Sequence, residues 1–325
     1  MNKIIIICFI SLLYMSCKTT LNNNTNSLET DNKSIFLVSI GNNDNFENSY
    51  QEAVSKLIEM MTSNDGYFNF ILQGSSKESD SLTILDNLKT ALKNTSSEST
   101  LFWFHEGHGD TSLNSSLVST VDTKNIFVSD VTDVFKEVLG DPQDENRKKI
   151  KRFILVVNAC TSGNFINDVA EQVGNYTDEY LFVAGSMGYD LAYREDLEEV
   201  LMSRIVLLKI MQTELESIRN QLKDKATSKN IIKNIIELTK ESKYIKYMVE
   251  KESVDNILNI SDLMYRGDDE KSYLENMIDD ESYKSPTFKH LINLINNFKI
   301  SYSKSDQMFY VKYSKQLENT PLFDH

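Results

Sequence analysis

Cysteine is scarce in this chain, with three in 325 residues, at positions 8, 17 and 160. Two of them fall within the first seventeen residues, so the remainder holds one thiol and no internal disulfide can form there. A solitary thiol is either a small buried hydrophobe or a reactive group. Basic charge is also short: 34 Lys and Arg stand against 48 Asp and Glu, a formal net charge of −14. That balance argues against nucleic acid as a partner, because phosphate backbones demand a basic surface. The apolar run that opens the chain, within MNKIIIICFISLLYMSC, is too short to span a bilayer comfortably. No internal repeat is visible. The acidic stretch RGDDEKSYLENMIDDES lacks the ligand spacing of an EF-hand loop and reads as charged surface. Neither a metal site nor a cofactor is expected.

What is present begins with ordinary globular composition, 40% hydrophobic and 25% charged residues, enough for a real core. The N-terminal run has one lysine, an apolar stretch and a small residue before Cys17, which reads as an export signal over 1–16. Its end, Leu13-Tyr14-Met15-Ser16-Cys17, resembles a bacterial lipoprotein box, with Tyr14 where leucine is usual. The resemblance implies lipid on Cys17, a membrane anchor and a location on the cell envelope outside the cytoplasm. Residues 17–33, including LNNNTN, are polar and read as a disordered tether.

From residue 34 onward, short apolar runs alternate with helical periodicity. SIFLVSIG (34–41), YFNFIL (67–72), LFWF (101–104), FILVV (153–157) and YLFVAG (180–185) read as strands. Between them, Val54, Leu57, Ile58 and Met61 form one helical stripe, and Leu85, Leu88 and Leu92 a second. Val131, Val134, Phe135 and Val138 form a third, with Ser129 as a plausible N-cap, and Ile166, Val169, Ala170 and Val173 a fourth. The stretch between the third strand and the third helix reads as polar and irregular. Nearly continuous apolar strands alternating with amphipathic helices imply an α/β fold, an open and mostly parallel sheet with helices on both faces. After residue 196 the pattern becomes helical, with Leu208, Met211, Leu215, Ile218 and Leu222 spaced as a packing seam. FKISYSKSDQMFYVKY reads as two strands around a turn. The expected organisation is an α/β core over 34–195 and 284–325, interrupted by a helical insertion over 196–283.

In such sheets, reactive groups collect beyond the carboxyl ends of the strands. Two strand ends stand out, LFWFHEGHGD (101–110) and FILVVNACTSGNF (153–165). One delivers imidazoles among glycines, the other a thiol among small residues at the start of a helix. An imidazole can take the proton of a thiol, and a helix N-terminus favours the resulting thiolate. Glycines beside His108 leave room for a peptide backbone and for an N–H aimed at an oxyanion.

Strand-GHG followed by strand-xAC-small-Gly resembles the caspase-like cysteine peptidases, the group containing caspases, metacaspases, legumains and clostripain. LFVAGSMGYDLAY, SPTFKHLINLI and KQLENTPLF resemble later segments of that domain in the same order. The resemblance implies a caspase-like sheet and a cysteine endopeptidase acting on a peptide or protein substrate through an acyl-enzyme. It implies His108 and Cys160 as the catalytic pair, with the amides of Gly109 and Cys160 as the oxyanion hole. His105 reads as a strand-end residue with a locally bonded ring. The chain departs from the family where side-chain preference is set. Asn158 stands where an acid or glutamine is usual two residues before the cysteine, and NNDNF (42–46) has no arginine. Asp44, Asn158, Ser186 and Asp190 are candidates for a specificity pocket. The competing reading is a catalytically inactive caspase-like binding lipoprotein. Retention of both His108 and Cys160 favours activity.

Overall fold

Strands of this chain that are covered on both faces carry unbroken apolar sequence, and they build the centre of the molecule. The structure, a computed structural model, describes residues 34–41, 70–76, 80–109, 116–118, 124–187, 192, 201, 205, 208, 286–296, 299–302 and 305–323. In chain order the strands are β1 (Ser34–Ile40), β2 (Phe70–Ser76), β3 (Thr100–Glu106), β4 (His108–Gly109), β5 (Ser116–Val118), β6 (Asn125–Phe127), β7 (Ile150–Asn158), β8 (Thr177–Ala184), β9 (Lys299–Tyr302), β10 (Ser305–Met308) and β11 (Tyr310–Tyr313). The helices are α1 (Ser81–Lys93), α2 (Val128–Leu139), α3 (Ser162–Val173) and α4 (Phe288–Asn296).

The main sheet has six strands in the order β11-β8-β7-β3-β1-β2. Every pair from β2 to β8 is parallel, and β11 closes the β8 edge antiparallel. The fold is therefore α/β, with an open, mostly parallel sheet. Strand order reverses between β1 and β3, which is where a crevice opens beyond the strand ends in sheets of this kind. β3 and β7 lie side by side in that region, with His105 level with Val157 and Glu106 level with Asn158.

Side chains alternate across the sheet. On one face Ile35, Leu37, Leu101, Trp103, Phe153, Leu155, Val157, Phe182 and Ala184 join Ile84, Leu88, Phe135, Phe165, Ile166 and Val169 from α1, α2 and α3 in one buried core. α1 starts where the Asp80 carboxylate accepts the Thr83 N–H at 2.7 Å. α2 starts differently from the sequence expectation. Ser129 lies inside its first turn, and the Asp130 carboxylate reaches back to accept the Phe127 N–H at 2.8 Å. The α2 exit is Gly140, at φ 107°, a left-handed conformation that glycine adopts at low cost.

The opposite face carries Phe36, Phe102 and Ile154, together with Arg152 near the amino end of β7. The Arg152 guanidinium donates from Nε and Nη2 to Glu179 Oε2 at 2.9 and 2.7 Å and lies 4.8 Å above the Phe288 ring centroid. Thr320 donates to the other Glu179 oxygen at 2.8 Å. α4 is thereby held on this face, so helices cover both sides of the sheet. The ends of the C-terminal segment pair with each other, through Phe288 N–H to Thr320 O at 3.0 Å and Leu322 N–H to Pro286 O at 2.7 Å.

Two expectations change. The stretch after β3 is not irregular: β4, β5 and β6 form a three-stranded antiparallel sheet, anchored by Leu117 and Ile126, which are buried in the main core. The C-terminal run holds three strands, a β9–β10 hairpin and then β11 on the main sheet. The helix expected around 54–61, the N-terminal signal with Cys17, the tether and most of the 196–283 insertion lie outside the described residues. Leu201, Ile205 and Leu208 are helical and buried, consistent with one apolar helix face.

Candidate active site

Three strand ends converge at the crevice. The β3 end continues one residue past its ladder, with Gly107 N–H donating to Asn158 O at 3.2 Å, and the β8 end does likewise, with Gly185 N–H donating to Val157 O at 2.9 Å. β1 joins through Gly41 N–H to Glu106 O at 2.7 Å. The loops that follow these strands therefore leave the sheet from one level.

The β3 end splits its polar side chains between the two faces. His105 points into the α1–α3 face and is fully buried. Its Nδ1 lies 2.8 Å from Ser39 Oγ, and Trp103 Nε1–H donates to the same Ser39 oxygen at 2.8 Å. Ser39 Oγ thus lies between the indole N–H and His105 Nδ1, bonded to both. Nε2 has no hydrogen-bond partner among the described residues. Burial pushes the His105 pKa down from 6.5 to about 3, so the ring is neutral at physiological pH. Glu106 points to the other face, where both its oxygens accept from Asn158 Nδ2 at 2.9 and 3.0 Å. This buried pair ties β3 to β7 at their last residues. Gly185 packs over the pair so tightly that a Cβ there would stand 2.4 Å from Asn158 Oδ1.

His108 is of another kind. It sits on β4, exposed, opposite Val118 of β5. The next residue fixes its place: a Cβ on Gly109 would fall 1.6 Å from the Cys160 carbonyl oxygen and 2.7 Å from its carbon. No residue but glycine fits there without backbone displacement, and the contact sets β4 directly against the cysteine. The structure thus brings the backbones around His108 and Cys160 together, although 51 residues lie between them in sequence.

Cys160 is a partly exposed free thiol, just past the end of β7. It lies in a tight turn, Ala159-Cys160-Thr161-Ser162, closed by Ser162 N–H to Ala159 O at 3.3 Å. Thr161 is left-handed, at φ 56°, and is the only non-glycine residue with positive φ among the described residues. A β-branched residue in this conformation carries real strain. α3 begins immediately afterwards at Ser162, so the chain passes from strand to helix through a bend that exposes the cysteine.

Ser186, expected in a specificity pocket, is fully buried beneath this turn. Its hydroxyl donates to Ala159 O at 3.1 Å and accepts from Ser162 N–H at 3.2 Å. Asn158, expected in the same pocket, is 2% exposed, with its amide nitrogen on Glu106. Asp44 and Asp190 lie outside the described residues. Sequence reasoning missed Glu106, whose signal was its place two residues before His108, level with Asn158 two residues before Cys160. Among the described residues, no group of three or more His, Cys, Asp or Glu is placed to hold a metal ion.

Known proteins offer limited comparison. No family model matches the chain, and no curated protein matches it. Among solved structures, the chain is similar to a secreted C11 cysteine protease from Bacteroides thetaiotaomicron, solved in complex with an irreversible peptide inhibitor. The identity is 12%, the TM-score is 0.30, and the match covers 54% of each chain. The chain therefore spans about half the length of that protein. No helix among the described residues is long and apolar enough to cross a membrane.

Proposed function

We propose that this protein is a cysteine endopeptidase of the caspase-like kind. The observation that supports the reading is the fit of Gly109 against the Cys160 backbone, which sets the backbone next to the exposed His108 against that of the partly exposed Cys160. In the proposed reaction, His108 takes the Cys160 proton, and the sulfur bonds to the peptide carbonyl carbon. The oxyanion that forms is stabilised by the N–H groups of Gly109 and Cys160. As the C–N bond breaks, His108 returns the proton to the leaving amine, which departs and leaves a thioester. Water then gives a proton to His108 and its oxygen to the acyl carbon, the C–S bond breaks to release the carboxylic acid, and His108 returns its proton to the sulfur. His105 takes no part in this scheme, since it is buried with Nδ1 engaged by Ser39. Asp44 and Asp190, with Asn158 in the pocket wall, remain our candidates for reading the substrate side chain. We assign the substrate to exported or extracellular peptide, with the enzyme tethered by lipid on Cys17, from the character of residues 1–33.

The test is to profile the protein against a positional peptide library, with Cys160→Ala as control. Cleavage at defined positions that disappears in the variant supports the proposal. Cleavage that persists undiminished in Cys160→Ala, or a protein inert to every peptide while Cys160 is intact, overturns it.

A further inference from the structure

We infer that Ser186 is a positioning residue for the cysteine turn, acting by holding Thr161 in its strained conformation; the inference rests on the assignment of Cys160 as nucleophile. Three observations converge. The Ala159–Ser162 turn places a left-handed residue directly after Cys160, a position where glycine is the ordinary choice. This chain has threonine there, at φ 56°, whose β-branched side chain makes that backbone region unfavourable. The turn's own closing bond, from Ser162 N–H to Ala159 O, is long at 3.3 Å.

The Ser186 hydroxyl supplies what the turn lacks. It donates to the carbonyl on one side of the Cys160–Thr161 pair and accepts from the amide on the other, at 3.1 and 3.2 Å. One rotor thereby clamps both ends of the turn, from a fully buried position where water cannot substitute for it. The Ser162 hydroxyl, 3.4 Å from Ser186 Oγ, adds a second polar group to the clamp. Ser186 itself is fixed, because Gly185 is hydrogen-bonded to Val157 at the end of β7. The strand that carries the cysteine and the loop that clamps it are therefore registered to each other. Loss of the clamp weakens the hold on both ends of the turn and lets the strain at Thr161 shift it toward an ordinary conformation. That relaxation rotates the peptide after Cys160, and with it the orientation of the thiol and of the Cys160 amide relative to Gly109.

The consequence is a strain-dependent role, and a residue that removes the strain makes the clamp dispensable. Ser186→Ala should lower kcat about 10- to 100-fold, the scale of an ångström-level misplacement, with KM changed about two-fold or less. Replacing Thr161 with glycine in that background should restore most of the lost kcat, since glycine holds positive φ without help. A second readout does not depend on peptidase activity: the rate at which Cys160 reacts with iodoacetamide should change in Ser186→Ala and return in Ser186→Ala/Thr161→Gly. Denaturant unfolding of each variant reports stability separately. A loss in Ser186→Ala that tracks stability alone, or that Thr161→Gly leaves uncorrected, overturns the inference. If no variant, and no wild-type protein, cleaves peptides, then the peptidase reading fails while the alkylation rates still decide whether Ser186 positions the thiol.

Discussion

Lowering the pH below neutrality charges His105 in the unfolded chain long before it charges it in the folded one. The unfolded imidazole titrates at 6.5, while the buried ring titrates at about 3. The cause is desolvation, because the ring is fully buried. The sign follows from proton counting. Below 6.5 the unfolded state binds a proton that the folded state refuses, so stability falls as pH falls. It is present in full above that value, and the loss ceases only near the folded value of about 3. Across the whole window the imidazole accounts for about 5 kcal/mol, at about 1.4 kcal/mol per pH unit. Carboxylates titrate in part of the same window, and the chain has 48 of them, so the useful quantity is a difference between two proteins. His105→Asn keeps a polar atom near the Nδ1 position and removes the titration. Denaturant unfolding of both proteins should show wild-type stability falling relative to the variant by about 2 kcal/mol between about pH 6.5 and about pH 5. Two curves that stay parallel over that range would refute the reasoning, and with it the burial and neutrality of His105.

Other perturbations follow from contacts already described. Gly109→Ala puts a methyl group onto the Cys160 carbonyl oxygen, so kcat for peptide cleavage should fall at least about 100-fold while the far-UV circular dichroism stays that of the folded protein; an unchanged kcat would deny the contact. Glu179→Ala leaves the Arg152 guanidinium without its carboxylate and should cost about 3 kcal/mol. It should also make the 286–323 segment susceptible to limited proteolysis before the β3 and β7 region, and simultaneous digestion of both would argue against a separate clasp.

The parts of the fold that sequence reveals are those whose burial is complete. β3 and β7 each carry an unbroken apolar run, LFWF and FILVV, because both faces are covered, and Leu85, Leu88 and Leu92 mark α1, although its buried face centres on Ile84, Leu88, Ala91 and Leu92 with Leu85 at the margin. β5 and β6 are only three residues long, each with a single inward apolar side chain, Leu117 or Ile126, and no periodicity can emerge from one residue. β2 runs beyond the expected end at Leu72 into the polar Gln73-Gly74-Ser75-Ser76, where pairing with β1 rather than hydrophobicity decides. Residue type points to Ser129 as the α2 cap, but Ser129 lies inside the first turn, Phe127 holds the cap position, and the Asp130 carboxylate accepts the Phe127 N–H. At the site, His108, Gly109 and Cys160 are visible as residue types at strand ends. The Gly109–Cys160 contact, the Glu106–Asn158 pair and the Ser186 clamp are not, since each joins segments far apart in sequence.

The central claim is that His108 and Cys160 act as one unit on a peptide bond. The most direct measurement is the rate of cleavage of one library-derived peptide by His108→Ala, by Cys160→Ala and by the double variant, with stability of each confirmed by denaturant unfolding. Groups that work together lose their contribution once, so each single variant should fall to about the residual rate of the double. A single variant that retains the wild-type rate, or losses that multiply in the double variant, would contradict the account.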